Sequence, residues 1–355
     1  MNVCTVTFYK IPHPGAVLQA YALHRALRTL GHNPTILGGR EKETAPGRRS
    51  IKQAILRWAT NSDRTLANYA AFREKNLPLC EPVEGTHGRL AGFRPEADAF
   101  ISGSDQVWNA NLFPGKTIDP AFLCSFPNSS ARRISYAASM GGWAPEGNAA
   151  ADLKRALEGF HAISVREPGA KALLESLLKR PIEVTLDPTL LFDDYEEISA
   201  PPRRAGESVV LFPLQATEGL NDAARYLAGT MKKSITTLGG PLLPWKRCGR
   251  RVEADSPATW LGAIRDSAGV VTNSFHGLVF ALLARKPVIF VPLTGALAPR
   301  NERIRHLCDL LNVPEEIFWT GSPRSGVPEI CWDKLSTNLE AHRQQSLDFL
   351  SRALT

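Results

Sequence analysis

Gly269-Val270-Val271-Thr272-Asn273-Ser274-Phe275-His276-Gly277-Leu278-Val279-Phe280-Ala281-Leu282-Leu283-Ala284 is the stretch whose reading decides the fold. Gly269 to Thr272 is short and apolar, as a strand buried on both faces must be. A polar turn follows, then a helix from Leu278 to Ala284, then a second apolar run from Pro287 to Val291. Strand, turn, helix and strand in that order make a βαβ unit of a parallel sheet.

Working outward, the same alternation runs through the chain. Upstream lie a strand at Ser208 to Pro213, a helix at Leu220 to Lys232, a strand at Ser234 to Leu238 and a helix at Pro257 to Asp266. Before them, Pro201-Pro202-Arg203-Arg204-Ala205-Gly206 is polar and proline-rich, the composition of a linker. An earlier series opens with a strand at Val3 to Phe8, a turn holding Pro12, Pro14 and Gly15, a helix from Val17 to Leu30, and Gly31 as its C-terminal cap. Strand patterns recur at Ala97 to Ser102, Arg133 to Ala137, Ala162 to Val165 and Glu183 to Leu186, with a helix at Asp152 to Phe160. Residues 41–96 read as a helical insertion, with polar helices at Ser50 to Ala59 and Ser62 to Glu74 and a Pro/Gly-bearing stretch from Pro78 to Pro95. The expected architecture is α/β. It has a Rossmann-like domain over residues 1–200, a second over 207–332, a cleft between them, and a C-terminal helix within 333–355 that crosses back onto the first domain.

Composition excludes several functions. With 43% hydrophobic residues in 355, the chain can bury a core and is no disordered polymer. The net charge of +7 is spread over doublets such as Arg48-Arg49 and Lys232-Lys233 without interleaved aromatics, so nucleic acid is not an expected partner. Six cysteines without a CxxC pair argue against a zinc module and a disulfide scaffold, and for a reducing, cytoplasmic setting. The N-terminus has no secretory pattern, and the longest apolar run, Leu278 to Leu293, is broken by Arg285-Lys286-Pro287. Asn128-Ser129-Ser130 matches a glycosylation sequon and reads as an ordinary loop. Neither a dinucleotide fingerprint nor a Walker loop is present, which removes support for nicotinamide cofactors and ATP hydrolysis.

In open α/β sheets ligands bind beyond the carboxyl ends of the strands, so the residues that follow each apolar run are the candidates. His276 lies at a helix N-terminus whose free amides favour an anion; it is a general acid or phosphate ligand, or else a histidine packed at a strand end. Arg166 is shaped for a bidentate grip on carboxylate or phosphate, or for an ion pair with a neighbouring carboxylate. Asp105 is a general base or an N-cap. Asp187-Pro188-Thr189 has the composition of a turn before that of a site, and the basic loop Lys246 to Arg251 that of a solvated charge run before that of an anion contact.

Five segments, Gly15 to Leu23, Ile101 to Asn109, Ser164 to Glu167, Leu186 to Thr189 and Asn273 to Gly277, stand in the order and approximate spacing of the polysaccharide pyruvyl transferase family, which the chain resembles from about Met1 to Pro292. The resemblance implies two Rossmann-like domains in the GT-B arrangement, the first on the acceptor side and the second on the donor side. It implies transfer of a pyruvyl group from phosphoenolpyruvate to two hydroxyls of a sugar, giving a cyclic ketal and phosphate. Phosphoenolpyruvate is then a co-substrate and no cofactor is called for. The acceptor is a sugar of a polysaccharide repeat unit or of its lipid-linked or nucleotide precursor, which allows peripheral contact at the inner face of the membrane.

On this resemblance Arg166 and His276 correspond to the family's donor-binding arginine and histidine, with Asn273, Ser274, Gly277 and Arg303 beside them. His276 is the expected acid and Asp105 the expected base, while Gly15, Gln106, Trp108 and Asn109 fall on the acceptor side. Two departures stand out. Some relatives carry an arginine where this chain has Ser274, leaving Arg300, Arg303 or Arg305 to replace it, and His13-Pro14-Gly15 replaces an Asn-Tyr-Gly. Two other readings fit the architecture: a glycosyltransferase using a nucleotide sugar, and a non-catalytic carbohydrate- or anion-binding protein. The arginine assignment predicts that Arg166→Lys, which keeps the charge and loses the planar fork, weakens donor binding. Unaltered donor affinity would assign Arg166 to structure.

Overall fold

The computed structural model describes residues 1–38, 62–80, 96–126, 130–202, 205–239, 248–252, 254–321 and 326–355. The expected helix at Ser50 to Ala59, most of the stretch from Pro78 to Pro95, the Asn128-Ser129 part of the sequon, Arg203-Arg204 of the linker and Lys246-Arg247 of the basic loop lie outside them.

Two parallel sheets form the frame. The first contains β1 (Asn2–Val6), β2 (Asn33–Ile36), β3 (Ala99–Ser102), β4 (Arg132–Ala138), β5 (Ala162–Val165) and β6 (Glu183–Val184) in the order β2-β1-β3-β4-β5-β6. Its helices are α1 (Pro14–Thr29), α2 (Ser62–Asn76), α3 (Gly147–Glu158) and α4 (Pro168–Leu178). The second sheet contains β7 (Ser208–Phe212), β8 (Ser234–Leu238), β9 (Arg250–Val252), β10 (Gly269–Thr272) and β11 (Val288–Phe290) in the order β11-β10-β7-β8-β9. With it go α5 (Glu218–Met231), α6 (Pro257–Arg265), α7 (Phe275–Leu283) and α8 (Glu302–Leu311), and α9 (Trp332–Leu354) closes the chain. This is a two-Rossmann, GT-B-like α/β fold.

Central strands coincide with the apolar runs because they are buried on both faces: β3 and β10 carry no exposed position, and neither does β11 at the edge of the second sheet. Two edge strands, β2 and β9, were not evident in the sequence. β2 contains Pro34, a residue that an edge tolerates because no ladder partner needs its missing N–H. α1 begins at Pro14, earlier than the apolar pattern alone suggests, because proline at the first helical positions supplies a preset φ. Gly31 follows its end at φ 82°, where an L side chain would be strained.

The halves meet over apolar surface. Val17, Leu18 and Tyr21 of α1 share one buried cluster with Trp260 of α6 and with Phe275, Leu278, Val279 and Phe280 of α7. The junction is therefore packed along the helices, and polar groups collect where the strand ends face each other. Tyr69 and Phe72 of α2 enter the same cluster, and Asn68 and Arg64 reach Asp255 just before α6, at 3.0 Å each.

α9 returns to the first sheet. Phe349, Leu350, Ala353 and Leu354 pack against Val3, Ile101, Ile134 and Tyr136, and Ser346 Oγ accepts from the Leu186 amide at 3.0 Å. Arg343 is buried; its Nε donates to the Leu190 carbonyl at 3.1 Å and its Nη2 pairs with Asp193 at 2.8 Å. Truncation by Arg343→Ala strands a buried carbonyl, and the expected loss is about 1–3 kcal/mol in thermal or denaturant unfolding. An unchanged midpoint would show that α9 does not brace this turn.

Candidate active site at the domain junction

Three turns of the first sheet and one of the second converge. β3 ends in Gly103-Ser104-Asp105, β5 in Arg166-Glu167, the chain after β6 in Leu186-Asp187, and β10 in Asn273-Ser274, which leads into His276 on α7. Gly103 holds φ 108°, and a Cβ there would stand 2.5 Å from the Tyr136 carbonyl oxygen, so glycine is required for the Ser104 loop to turn in. Thr7 Oγ1 donates to the Ser104 carbonyl at 2.8 Å, and the Gln19 amide nitrogen of α1 lies 2.9 Å from Thr7 Oγ1. This network gives the buried Gln19 of the first motif a structural task.

At the centre Arg166 Nη2 contacts Asp187 Oδ2 at 2.8 Å, with side-chain exposures of 3% and 0%. Arg166 Nη2 also donates to Ser104 Oγ at 2.6 Å, and that hydroxyl donates to Asp187 Oδ2 at 3.2 Å. His276 Nε2 stands 3.7 Å from the same Oδ2, an electrostatic contact too long for a hydrogen bond. Burial alone would raise the Asp187 carboxyl, but Arg166 and then His276 outweigh it and hold it below the usual carboxylate range.

Two guanidinium groups lie over the Phe275 ring. The Arg166 carbon lies 5.0 Å from its ring centroid and the Arg303 carbon 5.1 Å. Arg303, on α8, is 6% exposed. Burial and then the like charge of Arg166 bring its guanidinium down to about 10, against the opposing carboxylates of Glu167 and Asp105. Burial likewise pushes the Glu167 carboxyl up, while Arg166, Arg303 and a hydrogen bond from Ser139 pull the other way. His13, at the start of α1, is brought down to about 4 by burial and then by the charge of His276, with Asp105 opposing.

Several polar atoms here are buried without a hydrogen-bond partner: Nε and Nη1 of Arg166, Nε and Nη1 of Arg303, Nε2 of His276 and Oε2 of Glu167. Native proteins leave few such atoms unsatisfied, each costing about 1–3 kcal/mol and charged ones more. Arg166, Arg303, His276 and Glu167 together hold six of these atoms, which concentrates unsatisfied polar groups at the junction.

Other candidates take different places. Asp105 adopts φ 71°, its Oδ1 accepts from the Gln106 amide at 2.9 Å, and its charge acts on His13, Arg300 and Arg303. Gly15 abuts His276: a Cβ on it would lie 2.2 Å from the imidazole Nδ1. Trp108 requires a correction. It is fully buried against Phe160 and donates Nε1–H to the Phe122 carbonyl at 3.1 Å, so it is core and offers no face to an acceptor. Asn109 caps the short 3-10 turn Ala110–Leu112 and donates to Gln106 Oε1 at 3.0 Å, so these two amides bind each other.

On the second half, Asn273 gives its amide oxygen to the Leu214 and Gln215 amides at 2.7 and 3.2 Å and its amide N–H to the Gln215 carbonyl at 2.7 Å, bracing a loop where donor binding was expected. Ser274 is the N-cap of α7, its hydroxyl 3.4 Å from the Gly277 amide. Gly277 lets α7 approach β10, since a Cβ would lie 2.4 Å from Thr272 Oγ1. Of the three downstream arginines, Arg303 joins the junction, while Arg305 is half exposed, stacks on Phe318 at 4.9 Å and pairs with Glu315 at 3.5 Å. Asp187, Ser104 and Glu167 were not singled out as site residues by sequence. The polar composition after each strand was the available signal, and for Asp187 the turn reading concealed it.

Two parallel sheets that meet at a polar junction of strand ends define a two-domain, Rossmann-like α/β class. The chain matches the family described as polysaccharide pyruvyl transferase over residues 13–293 and belongs to it. It is a phosphoenolpyruvate-dependent pyruvyltransferase of polysaccharide biosynthesis.

Among solved structures, the UDP-GlcNAc 2-epimerase from Methanocaldococcus jannaschii is similar in fold, with a TM-score of 0.51, 12% identity, and coverage of 96% of this chain and 92% of that one. The UDP-GlcNAc 2-epimerase from Neisseria meningitidis bound to UDP-GlcNAc gives 0.47, 10%, 98% and 94% in the same terms. The spinosyn forosaminyltransferase SpnP gives 0.45, 12%, 100% and 94%. No curated protein matches the chain by sequence.

The contact at residue 15 generates a prediction. Gly15→Ala must displace the His276 ring, and turnover should fall on the order of 10²-fold with the fold retained, the scale of a misplaced catalytic group. Wild-type kcat in this variant would separate His276 from the chemistry.

Proposed function

We propose that the unsatisfied donors of Arg166, Arg303 and His276 bind phosphoenolpyruvate, whose carboxylate and phosphate place two anionic groups in a small volume. The observation that carries this reading is the cluster of partnerless buried N–H groups at the junction. Arg303 supplies, from α8, the second guanidinium that some relatives place where this chain has Ser274; like Arg166 it lies over the Phe275 ring. The donor groups thus come from both halves of the chain.

The chemistry follows from the charges. His276, as imidazolium, gives its proton to the methylene carbon of the donor, and the adjacent carbon becomes electrophilic. A sugar hydroxyl adds there and its proton passes to Asp105. The bond from that carbon to the phosphate oxygen then breaks, the guanidinium groups stabilising the departing phosphate, and the second hydroxyl closes the ketal, its proton leaving with phosphate. Phe275 keeps the two arginines close, since each faces the ring's negative quadrupole. We assign the acceptor to a sugar of a polysaccharide repeat unit or its lipid-linked or nucleotide precursor, and the reaction to the cytoplasm at the inner face of the membrane. Among the described residues no helix is long and apolar enough to cross a membrane, so contact with a lipid-linked acceptor is peripheral on this reading.

The test is independent of the acceptor: phosphoenolpyruvate, UDP-sugars and GDP-sugars are titrated in parallel against thermal unfolding. At about 100 times its dissociation constant a ligand stabilises by about 2.7 kcal/mol. A shift with phosphoenolpyruvate that disappears in Arg166→Ala is expected. A shift with nucleotide sugars alone would overturn the donor assignment in favour of a glycosyltransferase.

A further inference from the structure

We propose that Asp187 is the positioning residue of this site and that its two carboxylate oxygens carry separate tasks. Oδ1 accepts from the Thr189 amide at 3.0 Å and the Thr189 hydroxyl at 2.6 Å, which closes the 3-10 turn Pro188–Leu190. Oδ2 takes no part in that turn. It receives Arg166 Nη2 at 2.8 Å and the Ser104 hydroxyl at 3.2 Å, and it faces His276 Nε2 at 3.7 Å. One oxygen therefore gathers the ends of β3 and β5 and draws in the imidazole from the other half of the chain.

Arg–carboxylate pairs frequently use the guanidinium fork in full, two N–H groups to two oxygens. Here Asp187 contacts Arg166 through one nitrogen and one oxygen, and Nε and Nη1 are left buried without partners. The pairing fixes the plane of the guanidinium while reserving its remaining donors. Ser104 reinforces the arrangement, because its hydroxyl accepts from the same Nη2 at 2.6 Å as it donates to the same Oδ2. Asp187 touches neither donor nor acceptor on this account; it acts through Arg166, the group it contacts directly. The proposal rests on the donor reading above for the identity of the anion, and on geometry alone for the role of the carboxylate.

The experiment is a double-mutant cycle read by calorimetric binding of phosphoenolpyruvate. Asp187→Asn retains an acceptor for Thr189 at Oδ1 and replaces the charge at Oδ2 by an amide facing a guanidinium. It should weaken binding on the order of 10-fold or more, the usual range for coupled neighbours. Since the effect runs through Arg166, the double variant Asp187→Asn/Arg166→Lys should bind little worse than Arg166→Lys alone. Thr189→Val, which removes a bond to Oδ1 only, should lower the unfolding midpoint and keep the affinity. Losses that multiply in the double variant, or an Asp187→Asn protein with wild-type affinity, would overturn the proposal.

If Asp187→Asn does not fold, Ser104→Ala enters the same cycle, with the same two outcomes, because its hydroxyl bridges the same two atoms. Should wild-type protein bind inorganic phosphate and not phosphoenolpyruvate, the donor reading fails at that step. The cycle is then read with phosphate, so the two failures are distinguishable.

Discussion

The buried contact between Arg166 and Asp187 is the constraint on which the rest of the structure depends. Opposite charges removed from water stabilise a protein only when geometry and additional hydrogen bonds repay their desolvation, and loss of one partner costs about 3–5 kcal/mol. Here the repayment comes from Ser104, Thr189 and His276, contributed by separate strand ends. The turn that carries Asp187 is held in turn by α9: Ser346 accepts the Leu186 amide, and Arg343 donates to the Leu190 carbonyl. A helix more than a hundred residues further along the chain thus fixes one carboxylate. Its return to the first sheet is part of how the site is made, since it adds two hydrogen bonds to the buried segment that carries Asp187.

The junction divides its labour between apolar and polar surface. Along α1, α6 and α7 the halves are joined by packed side chains, which set their spacing. At the strand ends that spacing brings α8 close enough for Arg303 to face Phe275 and for Glu302 to accept the Gly169 amide at the start of α4, at 2.6 Å. Charges of like sign sit close together there, and the Arg303 guanidinium is lowered first by burial and then by the charge of Arg166. On the proposed reading, an anion that carries both carboxylate and phosphate relieves that repulsion and fills the vacant donors together. Membership in the pyruvyl transferase family supplies the identity of the donor, and the unsatisfied arginines are the place we propose for it.

Most of the fold was legible because buried strands announce themselves: β5 and β10 occupy the residues their apolar runs marked. The edge strands β2 and β9 were not, since β9 is Arg250-Arg251-Val252 and only pairing with β8 makes it a strand. At the site, position after a strand identified Arg166 and His276, but chemistry could not be separated from packing by residue type. Asp187 was hidden because Asp-Pro-Thr is turn composition, and it does make a turn, with one oxygen. Trp108 misled for the opposite reason: polar neighbours surround it in sequence, while its indole lies in the core. Arg303 was one arginine among three, and only the packing of α8 distinguishes it from Arg305.

The central claim is that one small dianion completes the partnerless donors of Arg166, Arg303 and His276. A crystal structure of the chain with phosphoenolpyruvate tests it most directly. The account predicts the ligand beside both guanidinium groups, with its carboxylate or phosphate oxygens within about 3 Å of Arg166 Nε or Nη1 and of Arg303, and with His276 next to it. Phosphoenolpyruvate bound elsewhere, with those nitrogens still without partners, would contradict it.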